Sequence, residues 1–226
     1  MEDKDQDDID EAPSRMPFPA PLIALAAFIV ALVFLYATGA FHRNQASTPQ
    51  SQAEICPDSR DAVGRVKPLD HGEIAALALV SVPRPMPELT FSGPDGKEVK
   101  LSDFRGREVL LNLWATWCIP CRKEMPSLDH LQGEAGSKEF QVVAVNIDTA
   151  RLDRPKAFLK EIGIKNLAFY ADTKADVFET LKQNGKVLGL PTSILVGKDG
   201  CAIGTMAGPA RWDSQDALAF INAAKG

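Results

Sequence analysis

The chain has 226 residues, 45% hydrophobic and 24% charged, an ordinary globular composition with room for one domain and its appendages. Its formal net charge is -5, and no basic stripe is present to neutralise phosphates, which argues against nucleic-acid binding. Four cysteines are too few for a disulfide-stapled miniature scaffold; two of them stand three apart and two stand alone.

Residues 1–21 read as an acidic cytoplasmic tail. Glu2, Asp3, Asp5, Asp7, Asp8, Asp10 and Glu11 face a single Lys4, and no hydrophobic period runs through them. Leu22 to Phe41 is the one uncharged apolar run, about 20 residues, the length that crosses a hydrocarbon core of about 30 Å as a helix. A cleaved signal peptide competes with this reading, because Ala37, Thr38, Gly39 and Ala40 are small enough for a peptidase site. The acidic flank and the length of the run favour an uncleaved anchor. Lys4 and Arg15 before it balance Arg43 and Arg60 after it, so charge alone gives no orientation. Residues 42–53, with the run Asn44 to Ala53, form a polar stalk.

Residues 54–87 are a pre-domain segment carrying Cys56 and a short apolar stretch, Ile74 to Val80, that reads as helix; Pro83, Pro85 and Pro87 close it. The domain proper spans 88–226. Leu89–Phe91 and Val99–Leu101 flank Gly93-Pro94-Asp95-Gly96 as an N-terminal β-hairpin. Val109 to Trp114 is a nearly continuous apolar run, as expected of a central strand buried on both faces. A helix follows over about Pro120–Gly133, then a strand over Phe140–Ile147, a helix over Arg154–Ile162, a short strand at Ala168–Tyr170 and a helix over Ala175–Lys182. Thr192–Val196 and Ala202–Met206 make a second hairpin about Lys198-Asp199-Gly200, and Asp213–Ala224 is a closing helix. This order predicts an α/β fold: a central mixed sheet flanked by helices.

Cys118-Ile119-Pro120-Cys121 lies just after the buried strand and opens a helix. Cysteines three apart at a helix start can bridge with little strain. Cys118 would sit at the unpaired N–H groups and positive pole of the helix, which favour a thiolate nucleophile. Cys121, one turn inside, fits the resolving thiol. Pro120 suits an early helical position, where a missing N–H costs little. Trp117 and Trp114 offer an apolar surround for a docking partner, or simple core packing. Half of a zinc site is the competing reading of the pair, but Cys56, Cys201, His42, His71 and His130 are unpaired along the chain, so no metal is expected.

Trp117-Cys118-Ile119-Pro120-Cys121 after a strand, with Gly189-Leu190-Pro191-Thr192 before a later one, resembles the thioredoxin superfamily. More narrowly, the run Leu111 to Pro126 and the run Val143 to Asp148 resemble the membrane-anchored TlpA proteins, over about residues 54–224. The resemblance implies a thioredoxin-like fold and a reductant held outside the bacterial cytoplasmic membrane, with its domain periplasmic. It implies action on cysteines of copper or haem delivery proteins during cytochrome and copper-oxidase assembly, and re-reduction by a transmembrane thiol-electron donor. No cofactor beyond the Cys118–Cys121 disulfide is implied. It also implies a cis bond before Pro191 that presents the backbone of Leu190 to an extended peptide, with Trp117, Pro120 and Thr192 beside it. Asn112 stands where thioredoxin carries a buried acid, and Glu124 matches an acid typical of the TlpA-like branch. A half-buried Glu124 would pass protons to or from Cys121; the alternative is a solvated helix residue.

Cys56 and Cys201 have no local partner. Bridged, they close a loop of about 145 residues, for which chain entropy allows about 5 kcal/mol. Such a bond persists in an oxidising compartment, and TlpA-like proteins carry an extra bond of this kind. The alternative is two buried free thiols. Two other functions compete with the reductase. A disulfide-forming oxidant is disfavoured because Pro120 stands where strong oxidants carry His. A copper chaperone is disfavoured because the spacing is one residue short and no histidine follows His130. A peroxidase lacks a recognisable peroxide-activating Arg arrangement.

Overall fold

The computed structural model describes residues 55–226, together with residues 29–31 and 33. Residues 1–21, most of 22–41 and 42–53, read above as tail, anchor and stalk, lie outside the described residues. Among the described residues no helix is long and apolar enough to cross a membrane.

The domain opens with helix α1, Pro57–Val66. Pro57 starts it, Asp58 lies in its first turn and Arg65 in its last, each placed where the helix ends favour it. Ser59, Ala62 and Val66 form its buried face. Sequence periodicity over so short a polar segment had not marked this helix. Strand β1 (Leu77–Leu79) follows, then β2 (Thr90–Ser92), β3 (Glu98–Lys100) and β4 (Glu108–Trp114). Helix α2 (Ile119–Ala135) leads to β5 (Phe140–Asn146), α3 (Asp153–Glu161), β6 (Tyr170–Ala171) and α4 (Asp176–Gln183). Strands β7 (Thr192–Val196) and β8 (Ala202–Ala207) precede the last helix, α5 (Gln215–Lys225).

The eight strands form one sheet in the order β1-β8-β7-β4-β5-β6-β2-β3. β4, β5 and β6 are parallel; β7 runs antiparallel to β4, and β8 to β7. All seven residues of β4 are buried, because the strand is flanked on both edges and covered on both faces. Helix α5 packs against both α1 and α2. The hairpin β2–β3 turns at Gly96, whose φ of +78° needs a residue without a Cβ. Its Phe91 meets Tyr170 edge-on at 5.6 Å, which ties the hairpin to β6. Trp114, 1% exposed, packs against Phe158 of α3, so it belongs to the core and not to a docking surface.

The stretch Ile74–Val80 is not helical as its composition suggested. A single 3-10 turn, Gly72–Ile74, gives way to β1, which pairs Leu77 with Met206 and Leu79 with Gly204. A helix of seven residues scarcely repays its nucleation. The outer edge of β8 instead offers a ladder of N–H and C=O groups that β1 satisfies. Short apolar runs do not distinguish the two outcomes by period.

Candidate active site

Two neighbouring strands deliver the reactive elements to one end of the sheet. β4 ends at Trp114, and its Leu113 pairs with Thr192 at the start of β7. The chain leaving β4 reaches Cys118 four residues on, and the chain entering β7 arrives through a cis Leu190–Pro191 bond. Pro191 is buried and Leu190 half-buried. Thr192, expected at the docking surface, is buried; its hydroxyl donates to Gly189 O at 2.8 Å, so it shapes the loop.

Cys118 and Cys121 form a disulfide across a Cα–Cα distance of 5.3 Å. Cys118 is the N-cap of α2, and its Sγ accepts the Cys121 N–H at 3.2 Å. That sulfur therefore already takes one of the helix's unpaired donors, the arrangement that stabilises a thiolate after reduction. Cys121 is 0% exposed and Cys118 6%, so an incoming partner reaches Cys118 first. Trp117 and Ile119, on either side of Cys118, are 68% and 65% exposed, and Pro120 is exposed as well. Large apolar side chains left in water beside a reactive pair form a surface suited to another protein.

Residues the motif does not include hold the loop in place. Asp148, just past β5, accepts the Thr116 N–H and the Thr116 hydroxyl, each at 3.1 Å, and the Asn146 amide at 2.9 Å. Thr116, two residues before Cys118, is thereby clamped to the end of β5.

Glu124 is buried at 3% exposure, not solvated. It lies three residues after Cys121, on the same face of α2. Burial pushes its carboxyl up to about 7, partly offset by donors from Ala210 N–H, Trp212 Nε1 and Asn112 Nδ2. Trp212 donates to Oε1 at 2.6 Å, Ala210 N–H to Oε1 at 3.0 Å, and Asn112 Nδ2 to Oε2 at 3.2 Å. Glu124 and Asn112 stand out in the sequence, whereas Trp212 does not, nor does Ser193, which accepts the other Asn112 Nδ2 proton at 2.9 Å.

A carboxyl that titrates near 7 is protonated below that pH and ionised above it. If it serves Cys121 as a base it does so only in the ionised form, and release of the partner should then accelerate as pH rises through about 7. Glu124→Gln is expected to slow exchange by about a hundredfold and to remove that inflection, with the fold retained because the amide oxygen still accepts from Trp212 and Ala210. Stopped-flow exchange across pH checks this; a wild-type profile in the variant would remove Glu124 from the mechanism.

A mixed sheet that presents a Cys-x-x-Cys disulfide at a helix start, beside a cis-proline, defines a thioredoxin-like thiol–disulfide oxidoreductase. The family model described as Redoxin matches residues 82–221, and the chain belongs to that family. It is 35% identical over 127 residues to the thiol-disulfide oxidoreductase ResA of Bacillus thuringiensis, covering 54% of this chain and 67% of that one. Over 146 residues it is 30% identical to ResA of Bacillus cereus, covering 62% and 78%. Among solved structures it resembles a DsbE-type thiol:disulfide interchange protein from Chlorobium tepidum, at 34% identity and a TM-score of 0.53, over 62% of this chain and 94% of the other.

Proposed function

We propose that this oxidoreductase works as a dithiol reductant of protein cysteines on the outer side of a bacterial cytoplasmic membrane. The observation that carries the reading is the reactive pair at the start of α2 with the buried Glu124 behind it, in a domain whose other two cysteines are also bridged. Cys56 and Cys201 join over a Cα–Cα distance of 6.0 Å, and a structural bond of that kind persists where the surroundings are oxidising. Residues 22–41 supply the anchor in this reading, 1–21 a cytoplasmic tail and 42–53 a stalk, with 54–87 tied to a periplasmic domain of 88–226. Pro120 leaves no imidazole beside the Cys118 thiolate, which supports a reductant over an oxidant. The substrates in this reading are cysteine pairs of copper or haem delivery proteins in cytochrome and copper-oxidase maturation. A transmembrane thiol carrier restores the dithiol. The partner docks on Trp117 and Pro120 and lies along Leu190.

The redox equilibrium of the full chain in detergent against glutathione and dithiothreitol, followed by tryptophan fluorescence, tests the direction of electron flow. The expected result is a Cys118–Cys121 potential well below that of the glutathione couple, with Cys56–Cys201 resisting reduction. A potential near that of a strong oxidant would make the protein a disulfide donor. A pair that does not cycle would end the redox reading.

A further inference from the structure

Asp148 is a buried charge without a counter-charge. It is 6% exposed, and no cation among the described residues pairs with it. Each hydrogen bond to its two oxygens is donated: Thr116 N–H and Asn146 Nδ2 to Oδ2, and the Thr116 hydroxyl to Oδ1. The Asn146 amide is held in that orientation, because its own Oδ1 accepts the Asp148 N–H at 3.2 Å. A site made only of donors suits a carboxylate. Fastening the loop needs no more than an acceptor, and burying a charge costs far more than burying a neutral acceptor. The charge therefore calls for a use beyond the clamp.

That charge stands close to the nucleophile. The chain turns over residues 115–118, with the Cys118 N–H donating to Ala115 O at 3.1 Å. Thr116 N, bonded to the same carbonyl group, is 3.1 Å from Asp148 Oδ2. These two hydrogen bonds put the carboxylate within about 9 Å of the Cys118 nitrogen. The Cys121 N–H at 3.2 Å and the positive end of α2 favour a thiolate at Cys118, and Asp148 opposes it. At about 10 Å, with an effective dielectric constant of about 20, one charge changes the ionisation of a thiol about tenfold.

We propose that Asp148 is a positioning residue whose charge, as well as its hydrogen bonds, acts on Cys118: it makes the Cys118 thiolate less stable and so keeps the reduced pair ready to give up its electrons. A dithiol whose thiolate is held too well persists in the reduced form, which makes the disulfide an oxidant. This rests on the reading of the pair as a reductant with Cys118 as its nucleophile. The other charged and titratable groups at this end of the sheet are Cys121, Arg122, Lys123 and Glu124 on α2 itself, and two pairs beyond it. Arg151 and Asp153, which follow Asp148, pair with one another at 2.9 Å, and Arg211 and Asp213, after β8, at 3.9 Å. From Val187 to Pro191 the loop into β7 carries no charge. Arg122 lies 4.9 Å over the Phe158 ring and is exposed, so salt screens it; the buried Asp148 is screened much less.

Two measurements on the full chain in detergent test the proposal. The first is equilibration with dithiothreitol, in which the protein dithiol closes to its disulfide and passes two electrons and two protons to the oxidised reagent. Asp148→Asn removes the charge and keeps an acceptor for Thr116. Relative to the wild type, its equilibrium is expected to be nearly unchanged at pH 6 and to favour the dithiol about tenfold at pH 9, in low and high salt alike. A charge acts only on the ionised thiol, so its effect grows with pH. A loop that is merely displaced shifts the equilibrium by one factor throughout.

The second measurement is the pH profile of iodoacetamide alkylation at reduced Cys118. Its midpoint is expected to fall by about one pH unit in Asp148→Asn. Thr116→Val, which loosens the clamp and keeps the charge, should leave the midpoint in place. Asn146→Asp combined with Asp148→Asn, which returns a carboxylate to the adjoining side chain, should bring the midpoint back toward the wild type. A redox ratio flat across pH, with an unmoved alkylation midpoint in Asp148→Asn, makes the carboxylate a fastening only and overturns the proposal; so does an equal fall of the midpoint in Thr116→Val. Should the asparagine variant not fold, Asp148→Ser, whose hydroxyl still accepts from the Thr116 N–H, takes its place with the same expectation. A wild-type equilibrium typical of a strong oxidant would instead sink the reductant reading, an outcome separate from how the variant's ratio changes with pH.

Discussion

Cys118→Ser is expected to abolish thiol–disulfide exchange, and Cys121→Ser to trap a covalent adduct with a disulfide substrate. The difference follows from geometry. Cys118 sits at the helix start with its sulfur on the Cys121 N–H, and the exposed Trp117 and Ile119 flank it. Attack on a substrate disulfide needs a thiolate in reach of the partner, and of the reactive pair only Cys118 has any exposure. Cys121 is fully enclosed and can reach only the sulfur of Cys118. In the proposed cycle it breaks the mixed disulfide, so its loss should stop turnover after the first bond has formed. Non-reducing electrophoresis with a model protein disulfide reads both results. An adduct formed by Cys118→Ser and none by Cys121→Ser would reverse the roles.

Replacing Cys56 and Cys201 together by alanine should lower stability by about 4–5 kcal/mol and leave exchange intact. The bridge spans a sequence separation of 145, and cross-linking so distant a pair removes much of the conformational freedom of the unfolded chain. The native segment has other fastenings. Ser59 N–H donates to Asp199 at 2.9 Å, and the Ser59 hydroxyl also donates to that carboxylate. Arg65 donates to the carbonyls of Ala223 and Ala224 at the end of α5, at 2.8 and 2.6 Å. These contacts should hold α1 in place once the chain is folded, so the change falls mainly on the unfolded state. Urea unfolding with exchange assayed in parallel checks both parts. A midpoint equal to that of the wild type would show that the bond adds nothing, and lost activity would show that it supports the reactive loop.

The central strand, the hairpins and the reactive pair were legible because each carries a local signal: an apolar run, a turn sequence, a three-residue spacing. The partners of Glu124 carried none. Trp212 is 88 residues away in an irregular segment, and only the return of the chain after β8 brings its indole to the carboxylate. Ser193 reads as one polar member of a buried strand, and its role appears only once β7 is set beside β4 with Ser193 opposite Asn112. Asp148 was part of a recognised run of residues, yet its hold on Thr116 depends on the parallel pairing of β4 with β5. β1 was misread for a related reason, since whether a short apolar run becomes strand or helix depended on the free edge of β8.

The bridge to Cys201 also bears on where a pull from an N-terminal anchor would enter the domain. β7 begins at Thr192, beside the cis-proline, and runs five residues to Val196 before the turn that carries Asp199. Five extended residues span about 15 Å, so Cys201 lies a strand's length from the reactive end. Cys56 is bonded there, and α1 is fastened to the same turn through Ser59. In the anchored reading proposed above, tension from the residues before 55 would be borne at the rear of the sheet, by a covalent rivet, and would not pass through the loops around Cys118. Such a tether would tug or swing the domain without prising open its working face.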